Sequence, residues 1–210
     1  MSAYPLLVVT AVNAEADAVR ADLDPAAVVV AAVGVGPAAA AAGTARLLAG
    51  RAYRAVVSAG IAGGFPGRAP VGSLVIATRS IAADLGAESP DGFLPIEELG
   101  FGTSVLDADP HLVEALRKAL PDAVSGDILT LATVTGTAAT ADRLATRFPQ
   151  AAAEAMEGYG VAAAAAGAGI PFAELRAVSN PIGPRDRAAW RLGDAFAALR
   201  TAAPALITVP

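Results

Sequence analysis

Leu6-Leu7-Val8-Val9-Thr10-Ala11-Val12 runs directly into Asn13-Ala14-Glu15-Ala16-Asp17-Ala18-Val19-Arg20, and this junction sets the pattern of the chain. An apolar run of strand length gives way to a helix-like run with acids near its start. The same change recurs along the sequence. Strand-like runs are expected over residues 6–12, 28–33, 55–59, 73–78, 127–134 and 172–179. Helix-like runs are expected over 14–23, 38–49, 112–120, 138–147, 158–169 and 188–201. Strands alternating with helices predict an α/β fold with a largely parallel sheet. The strand-like runs are almost wholly apolar, as they should be where helices cover both faces of a sheet. Ala-rich helices suit such a sheet because small side chains allow close approach. No break in composition marks a second domain, so residues 1–210 are expected to form one.

Composition narrows the function. At 210 residues the chain can bury a substantial core. It is 55% hydrophobic and 17% charged, but alanine accounts for much of the first figure, and Gly, Asn or acids interrupt each apolar run before membrane-spanning length. The N-terminus has no basic segment and reaches an acid quickly, so no secretory leader is expected and the cytoplasm is the expected location. A net charge of −5 argues against a nucleic-acid surface. With no cysteine there can be no disulfide, thiolate metal site or cysteine nucleophile. The one histidine, His111, follows Asp109-Pro110 and reads as part of a helix start, so a zinc site is not expected.

The remaining polar chemistry is sparse. Glu15 lies three residues past the first strand-like run, and Glu157 opens a small-residue helix-like run in Glu154-Ala155-Met156-Glu157-Gly158. Asn180 closes the run that ends Val178-Ser179-Asn180. Each acid alone could simply stabilise the first turn of a helix. All three lie just past strands, where open α/β sheets bind ligands, and that common placement favours a shared site. Gly34-Val35-Gly36-Pro37-Ala38-Ala39 resembles a dinucleotide turn. It follows the second strand, however, carries Pro37, and has no acid after the next strand, so NAD is not expected. Gly60-Ile61-Ala62-Gly63-Gly64 is either a backbone approach to a ligand or a plain loop. Residues 90–102 read as a long loop whose Phe93, Leu94 and Phe101 either cover a site or pack on one another.

Taken in order, Ala11-Val12-Asn13-Ala14-Glu15, Val33-Gly34-Val35-Gly36-Pro37, the Ser58–Gly64 cluster, Glu154–Gly158 and Ser179-Asn180 resemble the nucleoside phosphorylase/nucleosidase superfamily over nearly the whole chain. The resemblance implies a three-layer α-β-α fold with a mostly parallel or mixed central sheet. Asp84-Leu85-Gly86-Ala87-Glu88 and Gly183–Trp190 resemble the branch that hydrolyses futalosine to hypoxanthine on the way to menaquinone. It further implies a homo-oligomer (dimer or higher), a nucleoside substrate and no cofactor. From the related methylthioadenosine/S-adenosylhomocysteine nucleosidases it carries a water-orienting role onto Glu15. It carries a ribose-binding role onto Glu157, with Met156 against the sugar. Gly60, Ile61 and Ala62 of the glycine cluster are candidates to approach the substrate through their backbone.

The base-protonating aspartate of those enzymes falls on Asn180, a departure. An amide can donate to the C6 carbonyl or N7 of a 6-oxopurine, so Asn180 favours hypoxanthine over adenine. Phosphorylases of the superfamily carry an arginine where this chain has Ser58, and a phosphate dianion without a cation would be costly to bury. Hydrolysis is therefore expected, with phosphorolysis or another 6-oxopurine nucleosidase as the alternative. Arg185 and Arg187 are candidates to pair the benzoate of futalosine. The alternative for them is a solvated segment in which Asp186 caps the next helix.

Overall fold

The computed structural model describes residues 4–21 and 23–210. Residues 1–3, part of the N-terminal stretch read above for a leader, and Asp22, inside the expected helix over 14–23, lie outside the described residues. In chain order the elements are β1 (Leu6–Thr10), α1 (Asn13–Arg20), β2 (Val28–Ala32), α2 (Pro37–Gly50), β3 (Ala55–Gly64), β4 (Leu74–Ala82), β5 (Gly86–Ser89), β6 (Gly92–Pro95), β7 (Val105–Asp107), α3 (Pro110–Ala119), β8 (Val124–Thr130), α4 (Ala138–Arg147), β9 (Ala151–Ala155), α5 (Gly158–Gly167), β10 (Phe172–Pro181) and α6 (Leu192–Ala202).

The fold is α/β, with a mixed central sheet flanked by helices. Alternation along β1 shows why the layers form. Leu6 and Val8 join the cluster that includes Val19 of α1, Leu112 and Leu116 of α3, and Leu199 of α6. Leu7 and Val9 face the opposite way, into the cluster built from Ala40 of α2 and Val161, Ala162 and Ala165 of α5. Side chains of period two thus serve two helical layers from one strand. Each fully buried leucine contributes about 1.5–3 kcal/mol. On the α2–α5 side the layers approach closely. A Cβ on Gly160 would collide with the Pro37 carbonyl, so only glycine permits this spacing.

The sheet is more than a flat central layer. β2, β1 and β3 run parallel, and β3 lies parallel to β10 from Val56 to Gly64. β10 then pairs antiparallel with β4, β4 parallel with β8, and β8 parallel with β9. β9 returns to the far end of β3, pairing Gly63 with Glu154 and Gly64 with Ala153. Strands β3, β10, β4, β8 and β9 therefore close on one another. The length of β3 permits this. One edge serves β1 as far as Ser58 and β9 from Gly63 onward.

Several expectations are corrected. β3 extends to Gly64, so the glycine cluster is strand and not loop. β8 ends at Thr130 and not at 134, because Thr135 leaves the sheet to bond the Glu154 carboxylate. Helix 188–201 begins instead as a 3-10 turn over Arg187–Ala189, with Asp186 accepting from Ala188 N–H, and α6 follows. Residues 90–102 are not an unstructured loop. They contain β6, which forms a hairpin with β5, and Arg147 of α4 lies 3.8 Å from the centre of the Phe93 ring. β7 and β9 were not foreseen. Asp109 caps α3 by accepting from His111 and Leu112 N–H, which is the helix-start role expected for that segment.

Candidate active site

Strand ends and helix starts converge on a cavity of about 320 Å³. Glu15, Met156, Glu157, Asn180, Ile61 and Ala62 all line it. Gly60 does not. It lies beneath the cavity floor, where a Cβ would come within 2.7 Å of both Arg176 Nη1 and Glu15 Oε1. Arg185 lines the rim, whereas Arg187 does not.

Glu15 is the third residue of α1 and is only 3% exposed. One oxygen, Oε2, accepts from Ala11 N–H at 2.9 Å and Val12 N–H at 3.2 Å. The other, Oε1, accepts from Ile61 N–H at 2.9 Å. A carboxylate offers about four acceptor sites, so three are occupied and one is left for the cavity. The last backbone donor comes from β3, so the strand and the helix together fix this carboxylate.

Glu157 precedes α5 and is 6% exposed. Its Oε1 accepts from Gly36 N–H at 3.2 Å, and its Oε2 accepts from its neighbour's N–H and from Arg176 Nη1, the latter at 3.3 Å. The Gly34–Ala39 turn thus has a function in this protein. Gly36, with φ of +89°, turns its amide onto Glu157 while Pro37 starts α2.

Arg176 was not singled out from the sequence, and it organises the floor. It is 1% exposed and donates through Nε to Glu174 at 2.8 Å and through Nη2 to the Ser58 hydroxyl at 3.0 Å, besides its bond to Glu157. Glu174 also accepts from Ser80 Oγ. Burial pulls the guanidinium down, but Glu174, Glu157 and Glu15 outweigh it, so its net displacement is upward and it stays charged. Burial pushes the Glu174 carboxyl up, against the opposing pull of Arg176 and Ser80. The signal in the sequence was Glu174-Leu175-Arg176, two charges one residue apart inside an otherwise apolar strand.

Asn180 sits where the β10–β3 register shifts, a bulge that frees Ser179. The Ser179 hydroxyl donates to Asn180 Oδ1 at 2.8 Å, and Asn180 Nδ2 donates to Pro181 O at 2.9 Å. These bonds fix the amide's orientation and leave one N–H unused. Across the cavity Glu154 is 4% exposed. Its two oxygens accept from Thr135 N–H, at 2.6 Å, and from the Thr135 hydroxyl. Burial pushes the Glu154 carboxyl up, and Thr135 offsets part of that.

At the rim, the Arg185 guanidinium lies 5.5 Å from the Trp190 ring centre, and Trp190 also lines the cavity. Among the described residues Arg185 has no carboxylate partner. Arg187 lies 5.9 Å from the same ring, outside the lining. Among the described residues no group of three or more His, Cys, Asp or Glu is placed to hold a metal ion, and no helix is long and apolar enough to cross a membrane.

The family model of the phosphorylase superfamily matches residues 7–208. The futalosine hydrolase of Streptomyces coelicolor is 59% identical over 183 residues, covering 85% of this chain and 77% of that protein. The futalosine hydrolase of Acidothermus cellulolyticus is 50% identical over 221 residues, covering 93% and 90%. Among solved structures, the native futalosine hydrolase of Helicobacter pylori superposes with a TM-score of 0.82 at 16% identity, covering 99% of this chain and 97% of that one. The methylthioadenosine/S-adenosylhomocysteine nucleosidase of Colwellia psychrerythraea, solved with adenine, gives 0.84 at 23% identity, covering 99% and 96%. At these identities the two structures share the fold.

Proposed function

Because the chain belongs to the phosphorylase superfamily, and within it to the futalosine hydrolases, we propose that it hydrolyses the N-glycosidic bond of futalosine. The products are hypoxanthine and dehypoxanthine futalosine, which places the step in menaquinone biosynthesis. The observation that carries the proposal is the convergence of Glu15, Glu157 and Asn180, from three distant parts of the sequence, on one cavity.

Each group then has a task. Glu157 holds the ribose hydroxyls by charge-assisted hydrogen bonds, with Met156 against the sugar. The free acceptor site of Glu15 orients a water toward C1′ and takes its proton as the C–O bond forms. The C1′–N9 bond breaks through an oxocarbenium-like transition state, and its electron pair leaves with the base. The unused Asn180 N–H stabilises charge that builds on hypoxanthine, an electrostatic role needing no metal or organic cofactor. Arg176 holds Glu157 in place by donating to its Oε2. With its guanidinium already engaged by Glu174, Glu157 and Ser58, it is not available to a phosphate dianion, which favours water as nucleophile.

At the rim, Arg185 beside Trp190 is proposed to meet the substrate's benzoate. Arginine matches a carboxylate bidentately, and the indole offers a face to an aromatic ring. Val35 lines the cavity and yet is 55% exposed, so the cavity is open there. A second copy of the chain is proposed to close it, in a cytoplasmic homo-oligomer whose protomers are single domains.

The test is to incubate the protein with futalosine, inosine and methylthioadenosine, with and without phosphate, and to follow free base and sugar by chromatography. Hypoxanthine release from futalosine independent of phosphate is expected. A phosphate-dependent sugar phosphate would replace this reading with phosphorolysis.

A further inference from the structure

We infer that Glu154, a carboxylate with no part in the sugar chemistry above, reads the pyrimidine edge of the purine together with Asn180. This rests on the nucleosidase reading and extends it to the atoms that select the base. Glu154 and Asn180 occupy one cross-strand row. In the register of the sheet, Gly63 pairs with Glu154 on one side and with Asn180 on the other. Adjacent strands lie about 4.8 Å apart, so the two backbones flank Gly63 at a separation of roughly 10 Å. Residues directly opposite one another in a sheet project to the same face, and both side chains line the cavity. Between them Gly63 offers no side chain. A Cβ there would meet Ile182 at 2.7 Å and Asn180 Nδ2 at 3.5 Å, closing the gap from below. The row is a slot, wide enough for the edge of a planar ring, with a hydrogen-bonding group at each end.

The two ends have opposite polarity. Ser179 holds Asn180 Oδ1 and Pro181 O takes one of its two N–H groups, so the second N–H is the donor that Asn180 presents. Glu154 has spent two of its roughly four acceptor sites on Thr135, so it presents acceptors. A 6-oxopurine carries a carbonyl acceptor at C6 beside an N1–H donor. Set in the slot, its carbonyl meets Asn180 and its N1–H meets Glu154. A 6-aminopurine presents the reverse pattern, an amino donor at C6 and a bare N1, so N1 would face carboxylate oxygens with no proton between them. Thr135 is the positioning residue. Both its donors hold the Glu154 carboxylate, which explains why the chain leaves β8 after Thr130.

The inference is tested with wild-type enzyme and E154Q, on futalosine and its 6-amino analogue. A glutamine keeps the shape and an acceptor oxygen for Thr135, and it can turn an N–H toward N1 of the amino base. The ratio of kcat/KM for the 6-oxo over the 6-amino substrate should fall about ten- to hundredfold. An unmoved ratio, including equal losses on both, overturns the assignment. A second measurement needs no variant. Hypoxanthine and 1-methylhypoxanthine are compared as inhibitors of the wild-type enzyme, and the methylated base should bind at least about tenfold more weakly. Equal inhibition also overturns it. Failure of wild type to release hypoxanthine from futalosine would instead overturn the nucleosidase reading itself, so the two failures are distinct.

Discussion

At the scale of single residues the site depends on how few lone pairs and protons remain free. Glu15 gives three acceptor sites to backbone amides and keeps one. In Glu15→Gln an amide NH2 must face at least one of those backbone donors, and the ability to take a proton is gone. Turnover should fall by about 10²–10⁴, with substrate affinity held within a few-fold because Glu157 still grips the ribose. Steady-state kinetics beside equilibrium binding checks this, and near wild-type turnover would remove Glu15 from the mechanism. At the rim, Arg185→Ala should weaken kcat/KM for futalosine about tenfold or more while sparing inosine, since only the first carries a carboxylate. Arg187→Ala, outside the lining, should change neither. Equal losses on both substrates with Arg185→Ala would rule out a benzoate contact.

At the scale of elements, the tight α2–α5 contact delivers Gly36 N–H to Glu157. Gly160→Ala puts a Cβ against the Pro37 carbonyl, one residue from that amide, so α2 must move. Overpacking of this kind costs about 1–3 kcal/mol, or roughly 2–12 °C in Tm at ~2–4 °C per kcal/mol for a chain of this size. KM should rise as Glu157 loses its donor. Gly167, on the same helix with nothing within 4 Å of a built Cβ, is the control, and Gly167→Ala should leave both quantities intact. Melting curves and kinetics on the two variants decide it. If Gly160→Ala melts with wild type, the contact does not set the spacing.

The same scale shows what the sequence could reveal. Residues 6–10 and 138–147 are legible because apolar runs and caps act locally, although the strand expected to reach Val12 ends at Thr10, where the chain turns into α1. β9 was not, because Ala151-Ala152-Ala153-Glu154-Ala155 is rich in the best helix former and has no β-branched residue. It is a strand because β8 and β3 bracket it, which no local pattern records. Glu15, Glu157 and Asn180 stood out because they sit just past apolar runs. Arg176 and Glu174 were missed because polar residues alternating along a strand read as a solvent-facing edge. Only closure of the sheet turns that edge inward.

At the scale of the whole molecule, the closed sheet encloses one guanidinium among three carboxylates, and stability must depend on it. Arg176 is buried with Glu15, Glu157 and Glu174 around it. In Arg176→Met the methionine fills much of the volume but leaves buried carboxylates without a cation, a loss of about 3–5 kcal/mol. The pH dependence follows from Glu174, whose folded-state carboxyl stands above its ordinary value of 4.5 because burial outweighs Arg176 and Ser80. A carboxyl raised by folding contributes its stability below the ordinary value and loses it as pH rises through the raised one. Removing Arg176 deletes an influence that holds Glu174 down, so its carboxyl moves higher still and ionising it costs more. The stability gap between wild type and Arg176→Met should therefore widen as pH rises from about 5 toward 8, and narrow on the acid side as Glu174 takes up its proton. Urea melts of both proteins across that range measure the gap directly. A gap constant with pH would mean that the orphaned carboxylates reach solvent or another cation, and that Arg176 acts on the site through packing and not through charge.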